Sequence, residues 1–142
     1  MVWVEYQRLK AEYDRSQGHL TALLDKQEEI FWKTQPAAIR YDKDKVQTSP
    51  SDHITDLLVK SADLDKLIET ARKTVDERQH LLLLKRKELR QSMDIEDKIY
   101  TLYFIDRMSV NKIAYCIGYS KRQVYRIIKH QKETDQTRKL IE

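Results

Sequence analysis

Seven cations, Arg107, Lys112, Lys121, Arg122, Arg126, Lys129 and Lys132, fall within a stretch of the chain that holds no Asp or Glu. A one-signed field over so short a segment suits a polyanion. Guanidinium and ammonium groups pair with phosphates, and Arg or Lys at a base edge matches the acceptors of guanine. The rest of the chain is balanced. Residues 1–50 carry eight basic and eight acidic side chains, residues 51–94 nine of each, and residues 95–142 ten against six, so the net charge of +4 resides in the last third.

No comparable cluster supports catalysis. His19, His53, His80 and His130 are scattered, and none stands at a spacing to Cys, Asp or Glu that would ligate zinc. The pairs Asp42/Asp44 and Asp63/Asp65 offer carboxylates, but i, i+2 side chains on a helix diverge, which places the second pair poorly. Cys116, the single Cys, cannot form an intramolecular disulfide and, with apolar neighbours, reads as a packed core thiol rather than a nucleophile. Two Gly in 142 residues exclude the glycine-rich phosphate loops of P-loop and Rossmann enzymes. No catalytic residue, metal site or cofactor is assigned, and the chain is not expected to be an enzyme.

The cations act together only if local structure presents them on one face, and the punctuation predicts three short helices over 94–132. Asp94, with Asp97 three residues on, marks the start of the first, whose apolar positions are Ile95, Ile99, Leu102, Tyr103 and Ile105. Met108-Ser109 breaks it. Ser109 then caps a second helix, Val110 to Ile117, which ends at Gly118, where a left-handed exit is needed. Ser120 caps a third, from Lys121 to about Lys132. With the small Ala114 where two helices cross, and Ile113, Ile117, Val124 and Ile127 between them, this is a helix-turn-helix pattern. Turning Val124, Ile127 and Ile128 inward leaves Ser120, Lys121, Arg122, Tyr125, Arg126 and Lys129 outward. Lys121, Arg122 and Gln123 are the expected base readers, Gln suiting adenine, while Tyr125 and Arg126 reach either a base or a phosphate. Lys129, His130, Lys112 and Arg107 are assigned to phosphates. Residues 133–142 are read as a tail.

Upstream, Tyr6, Leu9, Tyr13, Ser16, Leu20, Leu23, Gln27 and Ile30 step by threes and fours, a heptad seam with two polar interruptions, over a helix of about 2–33. Gly18 weakens it by about 1 kcal/mol relative to Ala and allows a bend. The periodicity stops over TQPAAIRYDKDKVQTSP, read as a loop at 34–50, after which Ser51 stands as an N-cap. A second seam, Ile54, Leu57, Ser61, Leu64, Ile68, Ala71, Val75, Arg78, Leu82, Lys85 and Leu89, predicts a helix over about 51–92. The expected fold is all-α: a long antiparallel, coiled-coil-like hairpin over 1–93, then the three-helix DNA-binding domain. Two helices bury little apolar surface, so homodimerisation through the hairpin is expected, with Trp3, Phe31 and Trp32 as exposed candidates for further contacts and the Leu81–Leu84 run touching neighbours on two sides.

GYSKRQVYRIIKH, preceded by SVNKIAYCI, resembles the promoter-recognising helix-turn-helix of bacterial sigma factors, their region four. The chain as a whole, with KVQTSPSDHITDLLVKSADLD at 45–65, resembles the small sigma-region-four-like regulators carried by phages and other mobile elements of Gram-positive bacteria. The resemblance implies sequence-specific binding of double-stranded DNA by the segment 120–129 and activation of transcription together with host RNA polymerase. Residues 1–94 offer no basic surface with clustered aromatics of the kind that captures flipped bases, so a complete sigma factor is not expected. A rival of another class is a DNA-packaging or architectural protein such as a phage small terminase subunit, which also joins a helix-turn-helix to oligomerising helices. A coiled-coil adaptor with a basic end for an acidic protein is a third. No apolar run of about eighteen residues and no secretory leader are seen, so a cytoplasmic, nucleoid-associated protein without membrane contact is expected.

Overall fold

Scarce glycine and proline leave long stretches free to propagate i→i−4 hydrogen bonds, and the protein is all-α. The computed structural model describes residues 1–33 and 50–141, and among these it holds five α-helices and no strand. They are α1 (Val2–Lys33), α2 (Pro50–Gln91), α3 (Ile95–Tyr100), α4 (Val110–Ile117) and α5 (Lys121–Ile141), with a π-helical turn, Thr101–Ile105, continuing α3. The expected loop 34–50 lies outside the described residues except for Pro50. Pro50 opens α2, so Ser51 is already helical rather than the cap; proline suits a first helical position because its fixed φ matches the helix and its missing N–H would be orphaned there. Among the described residues no helix is long and apolar enough to cross a membrane.

The chain packs as two compact units, Met1–Ala11 with His80–Glu142, and Glu12–Gln79. In the second unit α1 and α2 run antiparallel, and Leu23 packs on Leu64, Ile68 and Ala71 with Leu20, Leu24 and Ile30 around them. The polar interruptions of the α1 seam meet polar residues of α2. Gln27 Nε2 donates to Asp65 at 2.6 Å, and Arg78 donates to the Ser16 hydroxyl and, at 3.0 Å, to the Glu12 carbonyl. A slip of one heptad would separate these partners, so the polar pairs pin the register. The helix runs through Gly18 without interruption.

The first unit does not follow a division at residue 93/94, because the start of α1 and the end of α2 pack with everything downstream. Trp3, expected to be exposed, is 1% exposed. Its ring stacks on Tyr100 at 6.0 Å, while Tyr6 meets Tyr100 edge-on and Phe104 stacks on Tyr100 at 4.6 Å. The cause is polar as well as aromatic. The fully buried Asp97 accepts the Trp3 backbone N–H at 2.9 Å and the Ser92 hydroxyl at 2.6 Å, so a carboxylate in the first turn of α3 also caps α1. A helix N-terminus carries unsatisfied donors and partial positive charge, and the Asp97 carboxyl answers one such donor of α1, while Asp94 caps α3. Phe31 and Trp32, in contrast, are exposed, and of the four leucines only Leu82 is buried.

Ile99, Ile113, Ala114, Val124 and Ile128 form the core under α3, α4 and α5. Ile99, Ile113 and Val124 are fully withdrawn from water, each contributing roughly 1.5–3 kcal/mol of transfer free energy. The expected tail does not exist as such, since α5 continues to Ile141. Gln131, fully buried, donates to the Glu96 carbonyl at 2.9 Å and accepts on its own carbonyl from Gln7 at 3.1 Å. Arg138 reaches the Val4 carbonyl at 3.3 Å, and the pair Lys139–Asp135 runs along the helix surface. These partners hold the last turns although the sequence there offers no apolar stripe.

Candidate nucleic-acid interface

Three local devices set the orientation of α4 and α5. Ser109 caps α4 by accepting the Lys112 N–H at 3.4 Å, leaving Lys112 exposed in the first turn. Gly118 ends α4 at φ 80°, a conformation that costs an L-side chain about 1–2 kcal/mol, and its N–H bonds the Ala114 carbonyl at 2.9 Å. Ser120 opens α5: its carbonyl accepts the Val124 N–H and its hydroxyl accepts the Gln123 N–H at 3.3 Å. With Ile113, Ala114, Val124 and Ile128 buried and Val110, Ile117 and Ile127 packed beside them, the phases of both helices are fixed.

On α5 this exposes Lys121, Arg122, Tyr125, Arg126 and Lys129 together. Arg122 and Arg126 are one turn apart, and so are Lys121, Tyr125 and Lys129, so two adjacent stripes carry four cations and one phenol. Lys121, Arg122 and Arg126 have no acidic partner among the described residues. Lys129 lies 3.9 Å from Glu133, both exposed, an interaction of little strength in water. Ser120 is exposed at the head of the same helix.

Gln123 and His130, both exposed, also make contacts that period alone does not show. The Gln123 Oε1 accepts from both the N–H and the hydroxyl of Ser120, each at 3.2 Å, completing a reciprocal capping box, because Gln three residues after a Ser cap has the reach for it. Its carbonyl is thereby engaged with its own helix end. The His130 ring meets the edge of Trp3 at 6.0 Å, since it follows Lys129 by a further 100° toward α1. The contact is made at the edge, and His130 itself stays exposed to solvent. Lys132 likewise donates to the Tyr103 hydroxyl at 3.1 Å and lies over that ring.

Arg107 is exposed and is the one described residue other than glycine with positive φ, at 54°. It occupies the exit of the π-helical turn, where the Asp106 N–H bonds the Thr101 carbonyl and the Met108 N–H closes on the Leu102 carbonyl, both at 2.9 Å. Glycine is the usual occupant of such an exit. The neighbouring Asp106, the acid that borders the basic stretch on its N-terminal side, is paired with Arg90 at 2.9 Å.

Two residues went unassigned in the sequence: Tyr115, 89% exposed on α4, and Tyr119, partly exposed in the turn before α5. The periodicity that turns Ile113, Ala114 and Ile117 inward also turns Tyr115 outward, so the signal was present. The same phase overturns the core reading of Cys116, which is exposed. Among the described residues no group of three or more His, Cys, Asp or Glu is placed to hold a metal ion. The chain matches no family model, and comparison with curated proteins and with solved structures returned no similar one.

Proposed function

We propose that this protein binds double-stranded DNA sequence-specifically and regulates transcription, α4 and α5 forming a helix-turn-helix whose second helix lies in the major groove. The observation that carries the proposal is the outward face of α5, where Lys121, Arg122 and Arg126 stand exposed without acidic partners in a stretch devoid of acidic residues. In this arrangement the N-terminal turns of α5 meet base edges, and Lys129, Lys112 and Arg107 hold phosphates and fix the docking without reading sequence. The sequence resemblance to sigma region four supports a regulator of the phage or mobile-element kind, acting with host RNA polymerase. No catalytic role is assigned.

Two copies pair, in this proposal, through the α1 and α2 helices, which supplies a second half-site. A single three-helix module covers too little DNA for tight specific binding. Apolar side chains left exposed on α2, Leu58, Val59 and Leu67 in one unit and Leu81, Leu83 and Leu84 in the other, support it. The test is sequencing of genomic fragments captured by the purified protein at about 150 mM salt, where surface attraction is screened. Enrichment of a few promoter-adjacent sites is expected. Even recovery of all fragments, with ring assemblies in light scattering, would favour DNA packaging instead, and no recovery would remove the DNA assignment. A monomer at micromolar concentration would overturn the dimer.

A further inference from the structure

We infer that α5 reads guanine and not adenine: Lys121, Arg122 and Arg126 are its specificity-determining residues, and Gln123 is a helix cap with no role in base choice. The inference rests on the DNA-binding proposal above and narrows its ligand to half-sites bearing guanines in the major groove. A Gln reads adenine by accepting from N6 and donating to N7 at once, so both ends of its amide must be available. Here the Gln123 Oε1 already accepts two hydrogen bonds from Ser120, at 3.2 Å each, while the Gln123 N–H returns to the Ser120 hydroxyl at 3.3 Å. Releasing the side chain toward a base would break the capping box and leave the exposed Ser120 N–H to water.

With the Gln123 carbonyl engaged at the cap, the charged readers exposed in the first two turns, Lys121, Arg122 and Arg126, have donors and no acceptor. Guanine presents two major-groove acceptors, O6 and N7, whereas adenine presents an acceptor beside a donor. These three donor-only side chains therefore select guanine. Arg122 and Arg126 are separated along the axis by about 6 Å, or roughly two base-pair steps of about 3.4 Å, so the guanines they contact lie within about two steps of each other. Tyr125, between these stripes and 59% exposed, adds an apolar ring edge able to pack on a neighbouring thymine methyl.

The experiment is selection from a randomised duplex by the full chain at about 150 mM salt, followed by binding to the selected duplex with 7-deazaguanine at each enriched guanine, which deletes the N7 acceptor. Enriched guanines within about two steps, and a loss of roughly tenfold or more in affinity on deaza substitution at either, are expected. Gln123→Ala should select the same motif while lowering the melting temperature. Arg122→Ala and Arg126→Ala, both exposed, should each relax one guanine position with the helical signal intact. Enrichment of adenine at a position that Gln123→Ala alters would overturn the inference and leave DNA binding standing. A motif indifferent to 7-deazaguanine would do the same. No enriched motif at all would overturn the underlying DNA-binding proposal, and this inference with it.

Discussion

Arg107 holds a long cationic side chain on a left-handed backbone, where glycine would cost less, and in the proposed complex its guanidinium holds a phosphate. Arg107→Gly should therefore stabilise the fold, by up to about 1 kcal/mol in urea denaturation, and weaken DNA binding with a salt slope shallower by about one. Unchanged affinity would remove Arg107 from the phosphate set. Tyr100 carries a different signature. Burial, with the neighbouring Tyr6 second, pushes its phenol well above the usual range, so the folded state favours the protonated form. The associated stability is complete below about pH 10, the unfolded value, and is lost as pH rises beyond it. Tyr100→Phe should flatten that alkaline limb in a pH series of melting temperatures. Among single residues, the ones legible in the sequence were those set by period: Lys121, Arg122, Tyr125, Arg126 and Lys129 follow from Val124 and Ile128 facing inward. Gln123 and His130 were not, because a capping box and an aromatic edge are matters of rotamer and neighbour that period alone does not determine.

Among the helices, the seams were legible in detail: Leu57, Leu64, Ile68, Ala71, Val75, Leu82 and Leu89 are buried in α2, while the expected Ile54 side chain lies outside the described ones. So was the punctuation at Ser109, Gly118 and Ser120, since each residue type answers a local backbone need. The continuation of α5 was hidden because Gln131 and Arg138 find their partners in Glu96, Gln7 and Val4, remote in sequence. The placement of Trp3 was hidden for the same reason, its N–H being bound by Asp97. Asp97→Ala orphans the buried Trp3 N–H and unpairs the half-buried Ser92 hydroxyl, and should cost about 2–3 kcal/mol by urea denaturation, with Asp97→Asn recovering about half through its remaining carbonyl. A loss below about 0.5 kcal/mol would show that α1 needs no such cap. Gly18, exposed in α1, has no heavy atom within 4 Å of where a Cβ would stand. Gly18→Ala should accordingly raise stability by about 1 kcal/mol, read as an upward shift in melting temperature, and a downward shift would place an unrecognised packing constraint there.

Taken along its full length, the chain separates a charge-balanced majority from a basic last third whose Arg107–Lys132 stretch is purely cationic. On the DNA-binding proposal, the charge balance of residues 1–94 leaves the salt dependence of binding to the few cations around α4 and α5. With about four phosphates neutralised per protomer, log affinity should fall against log salt with a slope of about −4 for each protomer bound. The most direct measurement is anisotropy of the selected duplex over a salt series, for the native chain and for the triple substitution of Lys121, Arg122 and Arg126 by Ala. The native chain should show that slope and a strong preference for the selected site over a scrambled one. The triple variant should lose the preference while keeping its far-UV helical signal. A salt-independent affinity, or a triple variant that still discriminates the two duplexes, would contradict the assignment of α5 as the DNA-reading helix.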